Sequence, residues 1–159
     1  MIHSYPTPIG PLRLYSTDGF ITAISFNEND APDSDATDDA LEQCRRQLDE
    51  YFAGTRRHFD FPMRQSGTEF QQRVWTQLME IPFGKTCSYR DLSKQLGDVK
   101  AIRAVGTANG RNNLAIVVPC HRVIGSDRSL TGYAGGLHRK QWLLAHEARF
   151  ASGVQTLPF

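Results

Sequence analysis

Ser88-Tyr89-Arg90-Asp91-Leu92-Ser93-Lys94-Gln95-Leu96-Gly97-Asp98-Val99-Lys100-Ala101-Ile102-Arg103-Ala104-Val105-Gly106-Thr107-Ala108-Asn109 decides how the C-terminal part of the chain folds. Ser88 is a favourable helix N-cap, and Asp91 falls in the first turn after it, where a carboxylate complements the helix dipole. These signals predict a helix from Tyr89 to Leu96. Gly97-Asp98-Val99-Lys100 then turns the chain into a second helix, Ala101 to Asn109, ending near Gly110. Two short helices joined by a four-residue turn containing glycine fit the helix-turn-helix pattern. The second helix is thin: Ala101, Ala104, Gly106 and Ala108 are small, and Arg103 is its principal long charged side chain. Such a surface suits close approach to a narrow minor groove, and it equally suits tight packing within the protein.

On the N-terminal side, Thr68 can cap a further helix, with Gln71 completing a capping box and Phe70, Val74 and Leu78 forming an apolar stripe. Ile81-Pro82-Phe83-Gly84 ends it. On the C-terminal side, the β-branched run Ala115-Ile116-Val117-Val118 predicts a short buried strand. Pro119-Cys120-His121-Arg122-Val123 follows it directly. The thiolate is the reactive form of cysteine, so a working Cys120 needs a neighbour that takes its proton. His121 can do this directly or through one water.

The 159 residues suffice for one sizeable core or two small lobes. No apolar stretch approaches the roughly 18 to 20 residues that span a bilayer, and Met1 to Pro6 lack the basic and apolar segments of a secretory signal. Cys44, Cys87 and Cys120 are odd in number and widely spaced. Neither a disulfide framework nor a metal site is expected, and a reducing cytoplasm fits best. Residues 1–64 hold 6 Arg and no Lys against 11 Asp and Glu, a balance of −5. Residues 65–159 hold 12 Lys and Arg against 6 Asp and Glu, a balance of +6. That asymmetry points the C-terminal part toward a polyanion.

Within the acidic part, Leu12–Ser16 and Phe20–Phe26 read as strands around Thr17-Asp18-Gly19, a hairpin signal. Asn27 to Thr37 read as a loop. A helix follows from Asp38, with Leu41, Cys44, Leu48, Tyr51 and Phe52 at helical spacing and Gly54 as its stop. His58–Phe61 reads as a short strand. Arg64-Gln65-Ser66-Gly67 reads as a linker, which divides the chain into residues 1–64 and 65–159.

Taken together, these segments resemble the O6-alkylguanine-DNA alkyltransferases. The matching stretch runs from about Phe70 to Glu147. It includes Ser88-Tyr89, Arg103-Ala104-Val105-Gly106, Asn112, Pro119 to Val123, Gly132-Tyr133-Ala134-Gly135-Gly136-Leu137, and Trp142-Leu143-Leu144-Ala145-His146-Glu147. The resemblance implies an α+β fold: a small ribonuclease-H-like α/β lobe followed by a mainly helical winged helix-turn-helix DNA-binding domain. It implies a single-turnover, cofactor-free and metal-free methyltransferase that acts in the cytoplasm on double-stranded DNA carrying O6-alkylguanine, as a monomer or as several molecules bound cooperatively along the duplex; the sequence does not decide whether O4-alkylthymine is also a substrate. Cys120 would then be the alkyl acceptor, His121 and Glu147 its proton relay, and Asn112 the brace of the active-site turn. Tyr89, Val123, Tyr133, Ala134 and Gly135 would contact the extruded base. Arg103 would enter the stack the base has left, with Ala104, Gly106, Arg111 and Arg122 also meeting DNA.

The chain departs from the family pattern at several points. Asn113 and Ala115 stand where prolines are common, Ala134 where some members have serine, and Arg128 where glycine is frequent. Arg128 is expected either to strain a turn or to add a phosphate contact. Retention of Cys120 argues against the non-catalytic alkyltransferase-like proteins, which replace the nucleophile. The chain's length argues against a regulator with a second binding region, and no oxyanion-hole motif suggests a thiol hydrolase.

Overall fold

Asp18 and Gly19 both adopt positive φ, 52° and 80°, which gives the hairpin turn whose twist matches the flanking strands. The computed structural model describes residues 1–26, 31–130 and 132–152; residues 27–30 of the expected loop lie outside them. The hairpin joins β2 (Leu12–Thr17) to β3 (Phe20–Ser25), and β1 (Ile2–Tyr5) adds an antiparallel strand on the other side of β2. A bulge between Tyr15 and Ser16 shifts the register, so Leu12, Leu14, Ile21 and Ile24 are all buried. They form the core with Leu41, Cys44, Leu48 and Tyr51 of α1 (Asp39–Phe52), which Asp38 caps by accepting from the Leu41 N–H at 2.8 Å. Gly54, at φ 85°, stops α1.

β1 has no clear alternation, and the expectations had no strand there. Conversely, His58–Phe61 forms no strand; just after it, Met63 makes a single bridge to Ile21 of β3. The stretch Ala115–Val118 is also not a strand, although Ile116, Val117 and Val118 are buried as expected. Leu114 makes one bridge to Ile24, and the chain then reverses at Ile116, where φ is 72° and the Val117 N–H donates to the Ala115 carbonyl at 2.8 Å. This is the strained form of γ-turn, unusual for a β-branched residue. Strand propensity is overridden by the need to turn the chain before Cys120.

By packing, the chain divides into two units. Among the described residues, those of 1–66 and 113–117 form one, and those of 67–112 and 118–152 form the other. In the second, Thr68 and Gln71 make the capping box of α2 (Glu69–Leu78), with bonds of 3.1 and 2.9 Å. Trp75 of α2 donates its indole N–H to the Ala108 carbonyl at 2.9 Å, fixing α2 against α4 (Ile102–Gly110). Ser88 caps α3 (Tyr89–Gln95) through the Asp91 N–H, and a 3-10 turn at Val99–Ala101 leads into α4. A two-residue parallel ladder joins β4 (Cys87–Ser88) to β5 (Val123–Ile124) beside the helix pair. The last helix, α5, spans Leu137–Ser152. Arg128 sits at φ 67°, so the first of its two expected consequences, a strained turn, is present.

Candidate active site

Cys120 opens a 3-10 turn, Cys120–Arg122, between Pro119 and β5. Pro119 (φ −82°, ψ 61°) forms an inverse γ-turn in which the Cys120 N–H donates to the Val118 carbonyl at 2.8 Å. Asn112, just past α4, reaches over this turn. Its amide nitrogen donates to the Val118 carbonyl at 2.8 Å and lies 3.3 Å from Cys120 Sγ. One side chain therefore holds both the turn and the sulfur.

His121 and Glu147 are fully buried. Glu147 Oε2 lies 2.7 Å from His121 Nε2, while Oε1 accepts from Arg122 Nε at 2.7 Å and Oε2 from Arg122 Nη2 at 3.2 Å. Burial alone would raise the Glu147 pKa, but His121 and Arg122 hold it well below the usual carboxylate range. An ionised carboxylate only accepts hydrogen bonds, so the His121 proton belongs on Nε2. Nδ1 is buried with no hydrogen-bond partner among the described residues, so it is the open position of the ring. The imidazole is held through Nε2 and keeps Nδ1 uncommitted.

Arg122 requires a correction. Expected at the DNA surface, it is 5% exposed. Its guanidinium is committed to Glu147, to the Ile81 carbonyl at 2.7 Å, and to the face of Phe83. Its charge fixes the carboxylate and is not available to a phosphate.

Two residues at this site were not among the expectations. Lys140 is fully buried, and its ammonium donates to the Val123 carbonyl at 2.6 Å. Burial pushes the Cys120 thiol pKa up; the Asn112 hydrogen bond and the Lys140 charge pull it back, as do the N–H groups of Cys120 and His121. Burial lowers the Lys140 pKa, and the sulfur opposes that. The second residue is Asn109, buried on α4, which donates to the Cys120 carbonyl at 3.4 Å. The signal for Lys140 was its spacing: Lys140, Leu143, Leu144 and Glu147 lie at i, i+3, i+4 and i+7, the buried stripe of α5. A stripe that begins and ends on charged residues marks a polar site inside a core.

The other expected residues divide between the site and the surface. Tyr133 begins a turn in which the Gly136 N–H donates to its carbonyl at 2.9 Å, with Ala134 exposed and Gly135 half-buried. The Tyr133 hydroxyl is buried without a hydrogen-bond partner among the described residues. Burial raises its pKa well above the ordinary value, helped by the charges of Cys120 and Glu147. Tyr89 is half-buried at the start of α3; a Cβ added to Gly106 would lie 3.8 Å from its ring. Arg103, Ala104 and Arg111 are exposed along or just past α4. Of the other thiols, Cys44 is buried in the first unit with its pKa pushed up to about 12 by burial, and Cys87 is raised by burial and by Asp91. Among the described residues, no group of three or more His, Cys, Asp or Glu is placed to hold a metal, and no helix is long and apolar enough to cross a membrane.

Residues 69–149 match the DNA-binding domain of the 6-O-methylguanine DNA methyltransferases, and residues 1–65 match the ribonuclease-like domain of the same family. The methylated-DNA–protein-cysteine methyltransferase of Methanosarcina acetivorans is 44% identical over 90% of this chain and 95% of its own. The constitutive enzyme of that name from Bacillus subtilis is 45% identical over 81% and 83%. The crystal structure of Mycobacterium tuberculosis OGT in complex with DNA superimposes with a TM-score of 0.85 at 43% identity, covering 94% of this chain and 93% of that one.

Proposed function

Because this chain belongs to the 6-O-methylguanine DNA methyltransferase family, we propose that it repairs double-stranded DNA carrying O6-alkylguanine by moving the alkyl group to its own Cys120, once and irreversibly. The observation that carries the assignment of residues is the Glu147–His121 pair, whose free Nδ1 is buried in the turn that presents Cys120. The thiol proton passes to Nδ1, directly or through one water, and Glu147 stabilises the imidazolium so formed. Sγ attacks the alkyl carbon, the C–O6 bond breaks, and its electron pair stays on the guanine. The relayed proton returns to the base. The product is a thioether, which water does not hydrolyse at neutral pH, so each molecule acts once.

The base must leave the stack to reach a buried sulfur, at a cost of about a few kcal/mol. Arg103, exposed on α4, fills the gap. Tyr89 guides the nucleotide out and donates to the extruded base, and Tyr133, Ala134 and Gly135 close over it. The Val123 carbonyl has a second lone pair beyond the one Lys140 uses, and it accepts from the exocyclic amine. The reaction belongs to the second packing unit; no cofactor takes part, and the protein works as a monomer in the cytoplasm. Duplex DNA containing O6-methylguanine, digested after incubation with an excess of protein, should yield guanine in place of the lesion. Cys120→Ser should leave the lesion intact while binding the duplex as before. Repair by that variant would overturn the assignment.

A further inference from the structure

Val99 and Ile102 are two of the few large apolar side chains left exposed, at 43% and 39%. They lie three residues apart at the entry to α4 and so on one edge of it. Scattered exposed apolar residues need no explanation, but an adjacent pair flanked by Lys100 and Arg103 is a different arrangement. Ile102 also lies four residues before Gly106, hence on the flank of α4 that faces the Tyr89 ring. The rest of this helix's exposed surface is small or charged: Ala104, Thr107, Gly110 and Arg111.

We infer that Ile102, supported by Val99, is a second wedge beside Arg103, one that presses on the minor-groove wall next to the extruded nucleotide. The inference rests on the DNA-repair reading above. The occupant is duplex DNA, because a cation that suits phosphates, Lys100 or Arg103, follows each member of the apolar pair, while Asp98 before it is engaged in capping the turn through the Lys100 N–H at 2.9 Å; deoxyribose and base edges supply the apolar surface. Arg103 fills the vacated stack with a charged, hydrated group. Ile102 covers the exposed edge of the neighbouring base pair, which a guanidinium alone leaves open to water. The thinness of α4 at Ala104 and Gly106 lets both side chains approach together.

Ile102→Ala should slow methyl transfer from duplex DNA by roughly five- to tenfold, the effect of losing about 40 to 55 Å² of newly covered apolar surface from a side chain already more than half covered by the protein. Transfer from the free base O6-benzylguanine, which has no stack to leave, should be unchanged. Ile102→Met should restore most of the duplex rate, and Ile102→Thr, similar in shape but polar, should not. A 2-aminopurine beside the lesion reports unstacking without chemistry in a Cys120→Ser background, and adding Ile102→Ala should reduce its fluorescence gain. Because Ile102 is exposed, the melting temperature should stay within a degree or two, and Thr and Ala variants that melt alike remove folding as a variable. Equal slowing on duplex and free base, or none on either, would overturn the inference. Failure of the unmodified protein to act on either substrate would overturn the repair reading instead.

Discussion

Replacing Glu147 by Gln keeps the shape of a side chain that is 1% exposed and removes only its charge. Three hydrogen bonds from cationic or ionisable donors converge on this carboxylate, at 2.7, 2.7 and 3.2 Å. Without the charge, the Arg122 guanidinium is buried and uncompensated, which costs about 3 to 5 kcal/mol when one partner of a buried pair is removed. The Gln oxygen still accepts from Arg122, so the lower end, about 3 kcal/mol, applies. For a chain of this size that is a fall in melting temperature of roughly 6 to 12 °C. The pH dependence has a defined sign. Glu147 has a folded-state pKa below its ordinary 4.5, so its stabilisation is complete above that pH and is lost as pH falls toward the lowered folded value. The variant should therefore show a flatter acid limb below that pH. Transfer at pH 7 should slow by about a hundredfold, the low end for losing a tuned general base. The deficit should shrink with rising pH as the thiolate forms unaided, the variant's log rate climbing with a slope of about one. Rapid-quench transfer rates from pH 6 to 9.5, with melting curves at each pH, read all of this. A deficit constant across pH would mean that Glu147 is structural and that His121 is not the base.

Arg103→Ala should slow repair of duplex lesions far more than reaction with O6-benzylguanine, with only a modest fall in affinity for undamaged DNA; equal losses on both substrates would place Arg103 in the pocket. Lys140→Met keeps the buried volume but removes the cation that pulls the Cys120 pKa down, so transfer should slow on duplex and free base alike, by about tenfold, with a steeper rise toward alkaline pH. Kinetics that differ between the two substrates would show that Lys140 acts on DNA rather than on the sulfur.

Local signals proved legible where a single side chain satisfies a single backbone group. The Thr68–Gln71 capping box, the Ser88 cap and the Asp18-Gly19 turn all appear at the residues the sequence indicates, and Asp38, read as the helix start, is its cap. What escaped depends on distant partners. Ala115–Val118 has strand composition, yet the pull of Leu114 to Ile24 and the reversal into Pro119 force a turn through Ile116 at positive φ. Arg122, in a basic half of the chain and next to a candidate nucleophile, reads as a phosphate ligand. Its true partner lies 25 residues onward and is itself buried. Lys140 reads as a solvated helix residue until Glu147, one heptad later, is known to point inward. For Arg122 and Lys140 the deciding fact is the burial of a charge, which composition and spacing express only in combination.

The central claim, that Cys120 is a single-use alkyl acceptor, is tested most directly by mass spectrometry of the intact protein and its peptides after incubation with excess O6-methylguanine duplex. One added methyl per molecule, located on the peptide that carries Cys120 and unchanged on longer incubation, is the predicted result. A methyl on Cys44 or Cys87, or continued loss of lesions beyond one per protein molecule, would contradict it.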